Sequence, residues 1–196
     1  MMVATHLVAG LCAGAGVVAW LQVPLLPASW VLGGALVGAL LPDIDHPKSW
    51  LGRRLPFIAL PLAAIFGHRG ITHSLLALVG VVWAMYQVLL HGALEQHWRM
   101  AALGVGAGYL SHLLGDFATH GGVPWLWPLK RRFSLPLTFR TGTWFERLLF
   151  FVLGLGTVYL LTLRFAPWML HDLQALAQLL RHYGQLVLAD ALRTPL

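Results

Sequence analysis

Charge is scarce in this sequence: Asp, Glu, Lys and Arg make up 10% of its 196 residues, against about 25% in a soluble domain. Seven acidic and thirteen basic side chains cannot coat a globule of that size, which excludes a soluble enzyme. Disorder is excluded as well, because 58% of the residues are hydrophobic. Cysteine is nearly missing. Cys12 stands alone in an apolar run, so neither an intramolecular disulfide framework nor an all-thiolate metal site can form. Acid is scarcer than base, and the net charge of +6 with a pI near 10.3 would suit a nucleic-acid binder. The basic residues, however, fall in loops between apolar runs, where the positive-inside rule places them. No nucleic-acid partner is expected.

What the chain has is apolar length. With a mean hydropathy of +0.73 it reads as an integral membrane protein, with room for about four to six spans and none for a separate soluble domain. Residues 1–20 carry no Lys or Arg ahead of the apolar stretch, so they read as a retained helix rather than a signal peptide. Spans are expected at 3–22, 30–41, 74–90, 100–118 and 145–165, with Pro24, Pro27 and Ser29 turning the chain between the first two. The second run is short for a crossing. Residues 55–66 are apolar but shorter still and hold Pro56 and Pro61, so they read as a re-entrant or interfacial piece. Three pairs, Gly10 with Gly14, Gly34 with Gly38 and Gly104 with Gly108, have the spacing that lets helices approach closely.

After Pro167 the pattern changes. Leu170, Leu173, Leu176, Leu180, Tyr183 and Val187 recur at helical spacing among Asp172, Gln178, Arg181 and Gln185, the mark of an amphipathic helix on the membrane or on the bundle. The expected fold is therefore all-α. It is a polytopic transmembrane bundle of about five spans with one re-entrant or interfacial segment, in a membrane-embedded domain over residues 1–166. Residues 167–196 form the amphipathic helix.

Orientation follows from the basic residues. The N-terminus and the loops holding Asp43 and Trp125 share one side, together with Lys48, Arg53, Arg54, Arg69, Lys130, Arg131, Arg132, Arg140 and Arg147. Only Arg99, Arg164, Arg181 and Arg193 fall on the other, so the first side is expected to be cytoplasmic.

That topology brings polar residues from separate segments to one depth. His6 opens the first span, Asp43, Asp45 and His46 follow the second, His68 and His73 open the third, and His112 with Asp116 closes the fourth. Intramembrane Asp and His are costly and face the bundle interior, where they mark function. Imidazoles with carboxylates suit Zn, Mn or Fe. His112 and Asp116 are i and i+4 on one helix face. His6, Asp43, Asp45, His68, His73, His112 and Asp116 are the candidate ligands, enough for one or two divalent ions, with Zn or Mn favoured. Singly, each has a plainer reading: a hydrogen-bonded membrane histidine, a polar seam, a solvated loop. Arg69 is a candidate clamp for phosphate or carboxylate, or else a positive-inside anchor. Asp45 or His46 could serve as general base where not a ligand. His91, His97, His120, His171 and His182 lack such company and are expected at the surface or interface.

Taken in order, Thr5-His6, Leu41-Pro42-Asp43-Ile44-Asp45-His46-Pro47, His68-Arg69-Gly70-Ile71-Thr72-His73-Ser74 and His112-Leu113-Leu114-Gly115-Asp116 resemble the pattern of the YdjM-like family of predicted inner-membrane, metal-dependent hydrolases. Gly121-Gly122, the stretch from Val123 to Pro128 and Arg132-Phe133-Ser134 are similar to that family too. The resemblance runs from about Thr5 to Leu135. It implies a multi-pass protein of a bacterial-type inner membrane and supports the same seven ligands. The expected function is hydrolysis at the cytoplasmic interface, on a phosphoester-containing lipid or amphiphile. The alternatives are a metal-ion transporter, which would need polar groups spread across the membrane, and a lipid-binding protein with a closed structural metal.

Overall fold

The computed structural model describes residues 1–67, 69–90, 95–129 and 131–191. Among these residues it has six α-helices and no strand: α1 (Val3–Trp20), α2 (Leu25–Leu40), α3 (Pro56–Phe66), α4 (Leu75–Leu90), α5 (Gln96–Phe117) and α6 (Trp144–Ala191). Short 3₁₀ turns at Leu41–Asp45 and Ile71–His73 follow α2 and precede α4.

The centre of the bundle is the α2–α5 pair, with α1 packed against both and α6 laid along α1. α4 packs on the other side of α5. Glycine sets the spacing. A β-carbon on Gly34 or Gly38 would run into the carbonyls of Ala101 or Val105 on α5. One on Gly104 or Gly108 would meet those of Val31 or Ala35 on α2. The backbones therefore touch, which is how helices associate where lipid removes the hydrophobic drive. α1 uses its own pair more loosely: β-carbons on Gly10 and Gly14 would stand 2.7 and 2.8 Å from the methyls of Ala39 and Ala35. Near the opposite end Val18, Val23, Ala28 and Val31 form a small apolar core, with Leu161 and Phe165 of α6 against it.

Three helical stretches, Val3–Trp20, Leu25–Asp45 and Trp144–Tyr183, are long and apolar enough to cross a membrane. α4, with 16 residues, is about 24 Å long, short of a hydrocarbon core of about 30 Å. α5 has 22 residues but carries Gln96, His97 and Arg99 at its start and the buried His112 and Asp116 near its end.

Two expectations about element ends are corrected. α2 begins at Leu25, not near Trp30, and Pro27 and Ser29 lie in its first turns rather than in the connecting turn. Proline is tolerated there because the first-turn N–H groups have no intrahelical partner. Pro42, which cannot donate to the helical ladder, instead marks the change to a 3₁₀ turn at the other end. The amphipathic stretch expected from 167 is not a separate element either: α6 runs from the last span through Pro167 without a break. Residues 167–183 are exposed along the whole of that length.

Candidate metal centre

Four segments deliver their polar side chains to one end of the bundle. His6 comes from the first turn of α1, Asp43 and Asp45 from the 3₁₀ turn after α2, His73 from the turn before α4, and His112 and Asp116 from the last two turns of α5. His6, Asp45, His73, His112 and Asp116 are all buried; Asp43, with 21% of its side chain exposed, is the more open member. Two overlapping triads have donor atoms close enough for one ion each: His6, His112 and Asp116, and Asp43, His73 and His112.

Hydrogen bonds fix which atoms face inward. His112 Nδ1 lies 2.7 Å from the carbonyl of Ala39, in the last turn of α2, where carbonyls lack partners within the helix. A carbonyl can only accept, so Nδ1 carries the proton and Nε2 the lone pair. Thr72 decides the same question for His73. Its hydroxyl donates to Asp45 Oδ2, leaving only its lone pairs for His73 Nδ1 at 3.1 Å. Nδ1 is thus the nitrogen suited to donate to Thr72, and Nε2 faces the cluster.

The two Nε2 atoms lie 3.3 Å apart, and Asp43 Oδ1 lies 3.7 Å from both. Asp116 Oδ2 is 3.7 Å from His73 Nε2 and 4.0 Å from His112 Nε2. Two nitrogens on one tetrahedral zinc-like ion stand about 3.4 Å apart, so the spacing fits such a donor set. His6 adds to the fit: its ring stacks on that of His112 at 3.7 Å, Nε2 is 3.3 Å from Asp116 Oδ1, and its buried Nδ1 has no hydrogen-bond partner. A buried imidazole nitrogen left unpaired costs free energy; Nε2, beside Asp116, is the nitrogen the cluster can use.

Asp45 stands behind the cluster. Its Oδ2 takes the Thr72 hydroxyl and the Gly70 N–H (3.4 Å) and lies 3.7 Å from His73 Nδ1. That is the position from which a carboxylate orients a ligating imidazole. His46, half-buried, caps the 3₁₀ turn and is in neither triad. Arg69 bonds Asp116 Oδ2 at 2.6 Å and the Gly122 carbonyl at 3.4 Å, from a left-handed backbone at φ 57°. The amino group of Met1 is 2.7 Å from Asp116 Oδ1. His68, expected as a ligand, lies outside the described residues, as does His91. Of the others set aside, His97 pairs with Glu95 and sits against Trp30 and Trp98, while His120, His171 and His182 are exposed.

Sequence reasoning gave no role to Thr72, Tyr109 or Glu146. The Tyr109 hydroxyl donates to the Thr72 carbonyl. Its signal was its place three residues before His112 on the face that continues to Asp116. Glu146 is wholly buried and accepts the N–H groups of Met2 and Gly142 at 2.6 Å each, tying the start of α1 to the start of α6. An acid at the mouth of an apolar span was the signal there. Removal of the Thr72 hydroxyl in Thr72→Val should weaken metal retention about 10–100-fold, the usual effect of losing an outer partner. Thr72→Ser should restore it. Metal content after dialysis against graded chelator measures both.

Fold and cluster together define a class: an all-helical membrane protein with imidazole and carboxylate donors gathered at one end of its bundle. The chain belongs to the YdjM family, whose description, YdjM inner membrane protein, matches it over residues 1–181. The match extends beyond the first two thirds of the chain, where the motifs lie, and takes in most of α6. The chain is 42% identical over 134 residues to inner membrane protein YdjM of Escherichia coli (strain K12) and to the protein of that name in Shigella flexneri, covering 66% of this chain and 66% of each relative. It is 33% identical over 157 residues to a Bacillus subtilis (strain 168) protein named YvsG, covering 79% and 91%. The chain thus spans just under two thirds of the first two relatives' length. No solved structure matches it.

Proposed function

We propose that this protein is a membrane-bound hydrolase holding one or two divalent ions, Zn or Mn, at the cytoplasmic end of its bundle, and that it cleaves a phosphoester in a lipid or amphiphile. What carries the reading is the convergence of the Nε2 atoms of His73 and His112, 3.3 Å apart, with Asp43 and Asp116 alongside. The family's inner-membrane relatives and the nine-to-four bias of basic residues support a multi-pass, bacterial inner-membrane protein with this end inside. Five crossings are proposed, by α1, α2, α4, α5 and α6, with α3 interfacial. Residues 1–166 then form the embedded domain, and the exposed amphipathic stretch from 167 onward is read as interfacial.

His6, Asp43, His73, His112 and Asp116 would hold the ions, and His68 is carried as a further ligand. A divalent ion there supplies Lewis acidity toward a phosphoryl oxygen. The rest is the work of the chain. Asp45 and Thr72 hold His73 in one tautomer, and the Ala39 carbonyl does the same for His112. Arg69, 16% exposed and fixed by Asp116, presents its guanidinium to an anionic group beside the cluster. The partial opening at Asp43 supports a site that a ligand can reach over a closed structural one. As His46 is half-buried beside it, His46 is the better candidate for a base, and Asp45 for the group that orients His73.

Lipid extracts incubated with wild-type and Asp116→Ala protein, with and without chelator, test the reaction. A phospholipid or polyprenyl phosphate should be consumed only by the metal-loaded wild type. If none changes with any ion while reconstituted vesicles pass metal, the transporter reading replaces this one.

A further inference from the structure

Beside Asp116 lies a cleft of about 520 Å³ that the metal cluster does not use. Its walls differ in chemistry. On one side Phe66, the last residue of α3, meets Trp127 edge-to-face at 5.7 Å, with Ile65 and Pro124 beside them. On the other stand Arg69 and Arg132. The two arginines rest on consecutive carbonyls of one glycine pair: Arg132 Nη1 donates to Gly121 at 3.4 Å and Arg69 Nη1 to Gly122 at 3.4 Å. Gly121 leaves the space beside it to the Arg69 guanidinium, which a β-carbon there would displace. The glycine pair thus anchors both arginines at the cleft.

Asp116 engages Arg69 alone. Arg132 is exposed, and its recorded bond is to a neutral carbonyl at long range, so its charge is available to a ligand. Beyond the aromatic wall the apolar side chains of α3 are bare: Phe57, Leu60 and Ile65 are each more than half exposed. Of these, Ile65 also lines the cleft.

We infer that this cleft binds a phosphate-bearing amphiphile, with the phosphate between Arg69 and Arg132 and the adjoining apolar part against Phe66 and Trp127. Two guanidinium groups match the paired oxygens of a phosphate. An aromatic wall continuous with the exposed face of α3 gives an attached chain somewhere to lie, which a free phosphate would not need. The inference rests on the metal-site reading only for what becomes of the ligand; binding is a separate property and is measured separately.

The experiment uses the full chain, metal-loaded, in detergent micelles, titrated calorimetrically with dihexanoyl phosphatidic acid and with inorganic phosphate. The wild type should bind the lipid more tightly than phosphate. Arg132→Ala should weaken both by about tenfold or more, the effect of losing one charge-assisted hydrogen bond, and Arg132→Lys by less, because charge remains but the fork is lost. Trp127→Ala should weaken the lipid and leave phosphate unchanged. All three variants should keep their metal, which shows that the fold is intact. Unchanged lipid binding in Arg132→Ala overturns the assignment, as does equal affinity of the wild type for lipid and phosphate. If binding behaves as stated and no ion supports turnover, the cleft stands and the hydrolase reading falls. Turnover with Arg132-independent binding gives the reverse.

Discussion

Purified wild-type protein should carry a divalent ion, and Asp116→Ala should emerge without it, as should His73→Ala. Each loss should exceed the roughly 10–100-fold effect of removing an outer partner, because a donor atom itself is gone. The substitutions also strand their neighbours. Without Asp116, the guanidinium of Arg69 and the ring of His6 lose their carboxylate in a buried setting, which costs more than a surface contact would. Without His73, Thr72 and Asp45 face a space they were arranged to fill. His97→Ala and His182→Ala should keep full occupancy, since one belongs to a Trp30–Trp98 cluster at the opposite end and the other is exposed. Metal analysis by mass spectrometry reads all four. Stoichiometric metal in both Asp116→Ala and His73→Ala would falsify the assignment and leave the cluster as a hydrogen-bonded polar seam.

The second large effect is expected far from any ligand. Gly104→Leu should lose the assembled bundle, because even its β-carbon would occupy the place of the Val31 carbonyl. Overpacking a core usually costs about 1–3 kcal/mol, and here the neighbour is backbone, which cannot swing aside. The cost should exceed that range. The change should also reach the metal centre, since the α2–α5 approach that Gly104 permits is what sets the Ala39 carbonyl 2.7 Å from His112 Nδ1. Gly33→Ala is the matched control: a β-carbon there meets nothing within 4 Å, and relief of glycine's backbone freedom should stabilise the helix by about 0.5–1 kcal/mol. Thermal unfolding in detergent, followed together with metal content, measures both. A Gly104→Leu protein that melts and binds metal as the wild type does would mean that the two helices stand further apart.

The sequence by itself determined the class and most of the cluster. Scarce charge and long apolar runs require a membrane, and the three glycine pairs already named the helices that touch. Histidine and aspartate are expensive in such a setting, so their positions stood out against the apolar background. His6, Asp43, His73, His112 and Asp116 could be singled out for that reason alone. The polar carboxylate of Glu146 is just as costly, yet it lies at a span end, where a solvated acid would look the same in sequence. Element ends were less legible: Pro27 read as part of a turn, but a first helical turn needs no N–H from it, and the amphipathic stretch set apart from 167 continues the last span in one helix.

Only the tertiary structure decided which atom of each ligand faces inward. Ala39 reaches His112 from 73 positions away in sequence, and Thr72 chooses the tautomer of His73 because its one proton is already given to Asp45. Asp43 and Asp45 look alike in the motif, two residues apart. Yet one turns toward the imidazole nitrogens and the other behind them, because a 3₁₀ turn after Pro42 points neighbouring side chains in different directions. The pairing of Arg69 with Arg132 across Gly121-Gly122 was equally hidden. Spacing along a chain fixes which residues share a helix face, but the meeting of separate segments depends on how closely their backbones can pack, and here glycine at the α2–α5 contact sets that distance.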